Sequence, residues 1–122
     1  MELNDITEKK IGCAYAVGNT LGPGFLEKVY ENVLAHEIQK AGLKVITQQP
    51  IKVFYDEIIV GEYFADILVE DKVIIELKVS KHIEKIHLAQ CLNYLKATEL
   101  KICLLINFGK PKVHIKRIVR GL

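Results

Sequence analysis

Two acidic residues and a lysine on a short predicted hairpin have the types and spacing needed for phosphodiester chemistry. Apolar stretches on either side of residues 70–72 indicate two strands joined by a polar turn. If the turn centres on Asp71, Asp66 faces Glu76 across the hairpin, and strand alternation places Lys78 on the same face. Because two opposed carboxylates repel, a divalent cation between them would compensate.

These residue types suit metal-assisted hydrolysis. Mg²⁺ takes one or two protein carboxylates and completes its shell with water and substrate phosphate. The metal acidifies a water, and a neighbouring lysine can orient that water or stabilise charge that develops on the phosphate. The alternative is a surface hairpin with a cross-strand salt bridge from Lys78. It is disfavoured because Glu76 interrupts an otherwise apolar strand, where a bare carboxylate is costly to bury.

The composition sets the broad class of protein. At 122 residues, with 50% hydrophobic and 26% charged residues, residues 1–122 are expected to form a single globular domain. No apolar run approaches the ~20 residues of a membrane span, and the N-terminus lacks the features of a signal peptide. An odd number of widely spaced cysteines, without a C-x-x-C pair, favours a reduced, cytoplasmic protein.

Charge is distributed unevenly along the chain. The net charge is only +2, yet residues 100–122 hold six basic side chains and no acidic one. Such a segment indicates an edge that faces a polyanion. An edge strand that lysines protect against aggregation would have the same composition, and charge alone leaves both interpretations open.

Hydrophobic periodicity predicts the order α-α-β-β-β-β-α-β-β, a single α/β domain built on a mixed β-sheet flanked by helices. The segment 73–78, the helix after it and the next strand form a β-α-β unit with parallel strands and a right-handed crossover. Proline favours an edge or a break at residues 49–50. The predicted helices are 3–18, 25–40 and 84–97. The predicted strands are 43–48, 51–55, 58–60 leading through Gly61 into 62–69, 73–77, 102–108 and 112–119.

The spacing Asp66-x9-Glu76-x-Lys78 resembles the signature of the PD-(D/E)XK nuclease superfamily. Residues 24–30 match the GxxExxY pattern of a family of small proteins placed in that superfamily, and the resemblance runs from about residue 3 to residue 119. It implies a restriction-endonuclease-like fold and a Mg²⁺- or Mn²⁺-dependent nuclease that acts on DNA. Ala65 stands where the signature has proline, which affects the local backbone rather than the ligand chemistry.

The resemblance also implies a role for each matching residue. Asp66 and Glu76 would bind the metal, the backbone carbonyl of Leu77 would be a further ligand, and Lys78 would serve the water or the scissile phosphate. Many superfamily members bring a helical glutamate to the metal, which favours Glu27 as a ligand. A lone helical glutamate would otherwise be a solvated side chain, as we expect for Glu31 one turn further on.

Two further residues on the third predicted helix match a known motif. Gln90 and Tyr94 are four residues apart and share a helix face. They resemble the QxxxY motif of RecB-like and Cas4-like nucleases, where the glutamine helps to place the lysine or the substrate. Tyr30 is left open between a hydrogen-bonded core residue and a member of the site.

Several ligands and partners are not expected. The histidines lack paired metal spacing, and three scattered cysteines cannot by themselves hold the iron–sulfur cluster of some Cas4-like relatives. No nucleotide-binding or nucleophile-elbow motif is present. A homodimer is left open, mediated by residues 58–60 or by C-terminal edge strands.

The sequence therefore favours a small DNA nuclease, with two alternatives. One is a nuclease-fold protein without catalysis that serves as a nucleic-acid-binding or protein-interaction subunit. The other is hydrolysis of a phosphate ester outside nucleic acids, which the same metal chemistry would permit.

Overall fold

A computed structural model describes residues 2–121, so that Met1 and Leu122 lie outside the described chain. Three helices and five strands form within this range, and none of the helices is long and apolar enough to cross a membrane. The elements are α1 (Leu3–Leu21), α2 (Glu27–Lys40), β1 (Val45–Tyr55), β2 (Ile58–Val69), β3 (Val73–Lys78), α3 (Lys85–Thr98), β4 (Ile102–Asn107) and β5 (His114–Val119).

The strands form one mixed sheet in the order β1-β2-β3-β4-β5. β3 and β4 are parallel and the other neighbours are antiparallel, which confirms the predicted mixed sheet and the parallel β-α-β unit. Helices α1 and α2 cover one face of the sheet, and α3 covers the other. β3 and β4 are therefore buried on both faces, which is why their sequences are apolar at nearly every position.

The prediction of four strands before the third helix was wrong, because the two predicted segments 43–48 and 51–55 fall in the single strand β1, which begins at Val45. Pro50 lies within β1 and pairs with Phe64 of β2. β1 is an edge strand, where the missing N–H of a proline costs no hydrogen bond to a second neighbour. Residues 58–60, predicted as an edge, begin β2, and Ile58 and Ile59 pair with β1. Because β2 pairs with β3 only over residues 67–69, the other side of residues 58–60 has no strand neighbour within residues 2–121.

Helix α1 continues past Gly18, where the sequence predicted a break. A Cβ atom on Gly18 would lie 2.0 Å from Cγ2 of Val113, so a larger residue could not pack here. The glycine therefore permits a close contact between α1 and the chain that precedes β5. Its role is in packing, and the helix ends three residues later at Leu21.

Tyr30 of α2 is a core residue. Its ring is fully buried and stacks on Phe108, with 4.7 Å between the ring centroids. Its hydroxyl donates to the Gly22 carbonyl at 2.5 Å and accepts a hydrogen bond from the Phe25 amide at 3.2 Å. Tyr30 thus links the loop before α2 to the core through these contacts. Helix α2 begins at Glu27 rather than at the predicted residue 25.

Lys10 of α1 is also a buried residue. None of its surface is exposed, and its Nζ has no hydrogen-bond partner among residues 2–121. Burial lowers the pKa of Lys10 to about 7, although the charge of Glu70 acts in the opposite direction. The folded state therefore favours the neutral amine.

Replacement of Lys10 by methionine should stabilise the protein most at pH 7 and below. Between pH 7 and pH 10.5 the unfolded wild type binds a proton that the folded wild type has lost, so wild-type stability rises with pH. The advantage of Lys10→Met should accordingly shrink by up to about 1.4 kcal/mol per pH unit over this window. Urea unfolding of both proteins across the pH range measures the difference, and a constant difference would contradict the buried neutral lysine.

Removal of the Tyr30 hydroxyl should destabilise the fold. Tyr30→Phe leaves the Gly22 carbonyl and the Phe25 amide without this partner, at a cost of about 1–3 kcal/mol in the free energy of unfolding. Tyr55→Phe is the matched control, because Tyr55 is 70% exposed at the end of β1. Chemical denaturation of the two variants tests the prediction, which fails if they are equally stable.

Candidate active site

The β2–β3 hairpin has the predicted register. Val69 pairs with Val73 and Ile67 with Ile75, so Asp66 and Glu76 follow on opposite strands. The Lys72 amide donates to the Val69 carbonyl at 3.0 Å to close the turn. Glu70 and Asp71 adopt positive φ angles, as a tight turn of this hand requires.

Beyond the last paired residues, Asp66 and Glu76 replace the backbone ladder with side-chain hydrogen bonds. The Asp66 amide donates to Oε1 of Glu76 at 3.0 Å. The Leu77 amide donates to Oδ2 of Asp66 at 2.8 Å. Each carboxylate therefore accepts a backbone hydrogen bond from the opposite strand, which holds the two acidic groups side by side.

Burial of this pair makes the charged state unfavourable. Glu76 is only 4% exposed, and burial together with the charge of Asp66 raises the pKa of Glu76 to about 9. Burial also raises the pKa of Asp66, while the hydrogen bond from the Leu77 amide opposes that rise. Lys78 lowers the pKa of both carboxyl groups without cancelling these effects.

Helix α2 and strand β1 reach the pair from one side through two residues that the sequence did not indicate. Gln48 donates from Nε2 to Oε1 of Glu31 at 2.6 Å and to Oδ1 of Asp66 at 3.4 Å. Oε2 of Glu31 pairs with Lys28 at 2.6 Å. The expectation that Glu31 is a surface residue was therefore wrong, because β1 and the Lys28 stem leave it only 4% exposed.

Glu27 lies one turn before Glu31, and its carboxyl group is within electrostatic range of the pair. Partial burial raises its pKa, Lys78 lowers it, and Asp66 and Glu31 raise it further. Within residues 2–121, however, no three His, Cys, Asp or Glu side chains are already grouped to hold a metal ion. The structure brings Asp66 and Glu76 together. Glu27 lies near them but does not complete a group of three metal-binding side chains.

Helix α3 closes the other side of the pair. Gln90 donates from Nε2 to the Tyr94 hydroxyl at 2.9 Å, so the two motif residues contact each other directly. Burial and the charge of Glu76 raise the pKa of Tyr94 to about 12. The Tyr94 phenol therefore retains its proton beside Glu76, and its ring packs against Tyr63 of β2.

Asn107 at the end of β4 secures the chain after Lys78, a role that no sequence motif indicated. Lys78 pairs with Asn107 in the sheet. The fully buried Asn107 amide accepts from the Ser80 and Gly109 amides and donates to the Ser80 carbonyl at 2.8 Å. A Cβ atom on Gly109 would lie 2.3 Å from the Ser80 carbonyl oxygen, so glycine is required for this approach.

Comparisons with known proteins bear on the fold and on the family. The fold is similar to that of an alkaline exonuclease from Laribacter hongkongensis, with a TM-score of 0.53 and 15% sequence identity over 88% of this chain and 76% of that chain. No curated protein matches the sequence. The family model for the PD-(D/E)XK nuclease superfamily matches residues 4–118. With nearly all of its length covered, this chain belongs to the PD-(D/E)XK nuclease superfamily.

Proposed function

We propose that this protein is a metal-dependent nuclease that hydrolyses DNA phosphodiester bonds at a site formed by Asp66, Glu76 and Lys78. The observation that carries the proposal is the pair of carboxylates held side by side by backbone amides at the end of the β2–β3 ladder. Within the superfamily, residues 24–30 and the Gln90–Tyr94 pair favour the GxxExxY family and its QxxxY-bearing relatives.

The donor set fits a hard divalent cation such as Mg²⁺ or Mn²⁺. Two adjacent carboxylates match the one or two that Mg²⁺ takes from a protein. Burial and the charge of Asp66 raise the pKa of Glu76 to about 9, and the positive charge of a dication would favour the ionised form of the pair. Asp66 and Glu76 are the proposed ligands, with the Leu77 carbonyl and Glu27 as further ones. When bound, the cation acidifies water and screens phosphate charge.

The remaining residues position the reacting groups. Lys78 supplies a positive charge near the carboxylates, suited to the attacking water or the scissile phosphate. Tyr94 stays protonated and can donate a hydrogen bond toward the site, and Gln90 holds its hydroxyl in place. Gln48 restrains Asp66 on the side of α2. These side chains come from four different elements, so the site depends on the complete fold.

The basic C-terminal segment adds phosphate contacts to this site. Residues 101–120 hold six basic side chains, and β5 lies at an edge of the sheet, where most of its side chains are exposed. Sequence-independent contacts of this kind release counterions from DNA, so affinity should fall steeply with salt.

Mn²⁺ should bind the wild type, and Asp66→Asn and Glu76→Gln should each abolish most of that binding. A proton must leave Glu76 before the cation occupies its carboxylate, so the apparent affinity should rise as pH increases toward the pKa of about 9. Isothermal titration at several pH values measures both effects. Glu8→Gln, on the exposed face of α1, is the matched control. Equal binding by all four proteins would rule out the carboxylate pair as the metal site.

Glu76→Gln and Lys78→Met should each reduce DNA cleavage by at least about 100-fold, because each removes a group that stabilises charge in the transition state. The assay compares single- and double-stranded DNA with Mg²⁺ or Mn²⁺, again with Glu8→Gln as the control. Unchanged activity in both variants would refute the assignment. Metal binding without cleavage of any substrate would instead favour the non-catalytic, nucleic-acid-binding or protein-interaction alternative.

A further inference from the structure

An open groove of about 1030 Å³ separates the β1–β2 hairpin from helix α3. One wall is formed by the hairpin and the other by helix α3. Helix α3 also carries Gln90 and Tyr94 of the candidate active site. The groove therefore shares Gln90 and Tyr94 with the candidate active site.

The charges of the groove favour an anionic occupant. Lys52 stands on the hairpin wall and Lys96 on the helix wall. No aspartate or glutamate belongs to the lining among the described residues. This contrasts with the whole chain, whose acidic and basic side chains are nearly balanced.

The groove also exposes aromatic surface. Phe54 is 59% exposed and Tyr63 is 50% exposed, although both side chains are large and apolar. The Tyr63 ring is held by Tyr94, whose ring centroid lies 5.8 Å away, so part of the aromatic surface is fixed in position. Exposed apolar surface next to positive charge is typical of a binding site rather than of an inert surface.

We infer that this groove binds unpaired nucleotides of the strand that the site cuts, an inference that rests on the proposed nuclease function. Phe54 and Tyr63 offer flat faces on which bases stack, while Lys52 and Lys96 contact phosphates. Gln90 and Asn93 supply amide groups that can reach base edges. The groove thus extends the active site along a single strand.

Unpaired nucleotides match the groove better than a duplex does. In a duplex the base faces are stacked on one another, so a protein meets mainly phosphates and base edges. Aromatic side chains gain little from those contacts, whereas each base that stacks on a protein ring contributes binding energy irrespective of its sequence. Single strands, overhangs and frayed ends are therefore the favoured substrates.

The test measures binding separately from cleavage. Fluorescence anisotropy of a labelled oligothymidine and of a labelled blunt hairpin duplex is recorded with the full chain in EDTA, where metal-dependent cleavage is blocked. Phe54→Ala and Lys52→Ala should each weaken oligothymidine binding by roughly tenfold, since removal of one stacking or phosphate contact has about that effect.

Two control variants lie outside the groove. Tyr55→Ala removes an aromatic ring from the end of β1, and Lys9→Ala removes a lysine from an exposed position of α1. Neither residue lines the groove, so both variants should retain wild-type affinity. Losses confined to Phe54→Ala and Lys52→Ala, together with weaker duplex binding, would support the inference.

Other outcomes overturn it. Equal affinities for all variants, or tighter binding of the duplex, would show that the groove does not hold unpaired nucleotides. So would a loss of self-association in Phe54→Ala at unchanged affinity, which would identify a second copy of the chain as the occupant. If groove variants lose oligothymidine binding while the wild type cuts no DNA, the groove assignment stands and the proposed catalysis fails.

Discussion

The geometry of the candidate site depends on the place where β2 and β3 stop pairing through their backbones. Past the last ladder pair, the Glu76 and Asp66 carboxylates accept hydrogen bonds from the backbone amides of Asp66 and Leu77. This satisfies buried backbone donors that would otherwise be costly. It also fixes two acidic groups side by side inside the protein, where burial and then the charge of Asp66 raise the pKa of Glu76.

The elements on either side of the β2–β3 hairpin supply the polar side chains that lie around its two carboxylates. From one face, α2 and the edge strand β1 bring Glu31 and Gln48 against Asp66. From the other face, α3 brings Tyr94 and Gln90 toward Glu76. The carboxylate pair thus lies where both helical layers meet the sheet. Because α3 also forms one wall of the groove, the proposed chemistry and the proposed strand binding share a single rigid element.

Local sequence signals predicted the features that depend on near neighbours in the chain. The turn at residues 70–72 sets the hairpin register, since the side-chain period of two leaves Asp66 and Glu76 adjacent once the turn is placed. The apolar segments of β3 and β4, with a helix between them, similarly require a parallel crossover. The resemblance of the Asp66-x9-Glu76-x-Lys78 motif to the superfamily signature predicted the superfamily, and the family model confirms it.

By itself, then, the sequence determined the hairpin, the mixed sheet and the acidic pair, all of which arise from short-range periodicity and turn chemistry. Only the tertiary structure decided that Glu31 is buried, that Pro50 lies within an edge strand, and that Gln48 and Asn107 support the site. The physical reason is that burial and edge position are properties of the assembled layers. A side chain acquires them from residues far away in the chain, and no local pattern records which residues those will be.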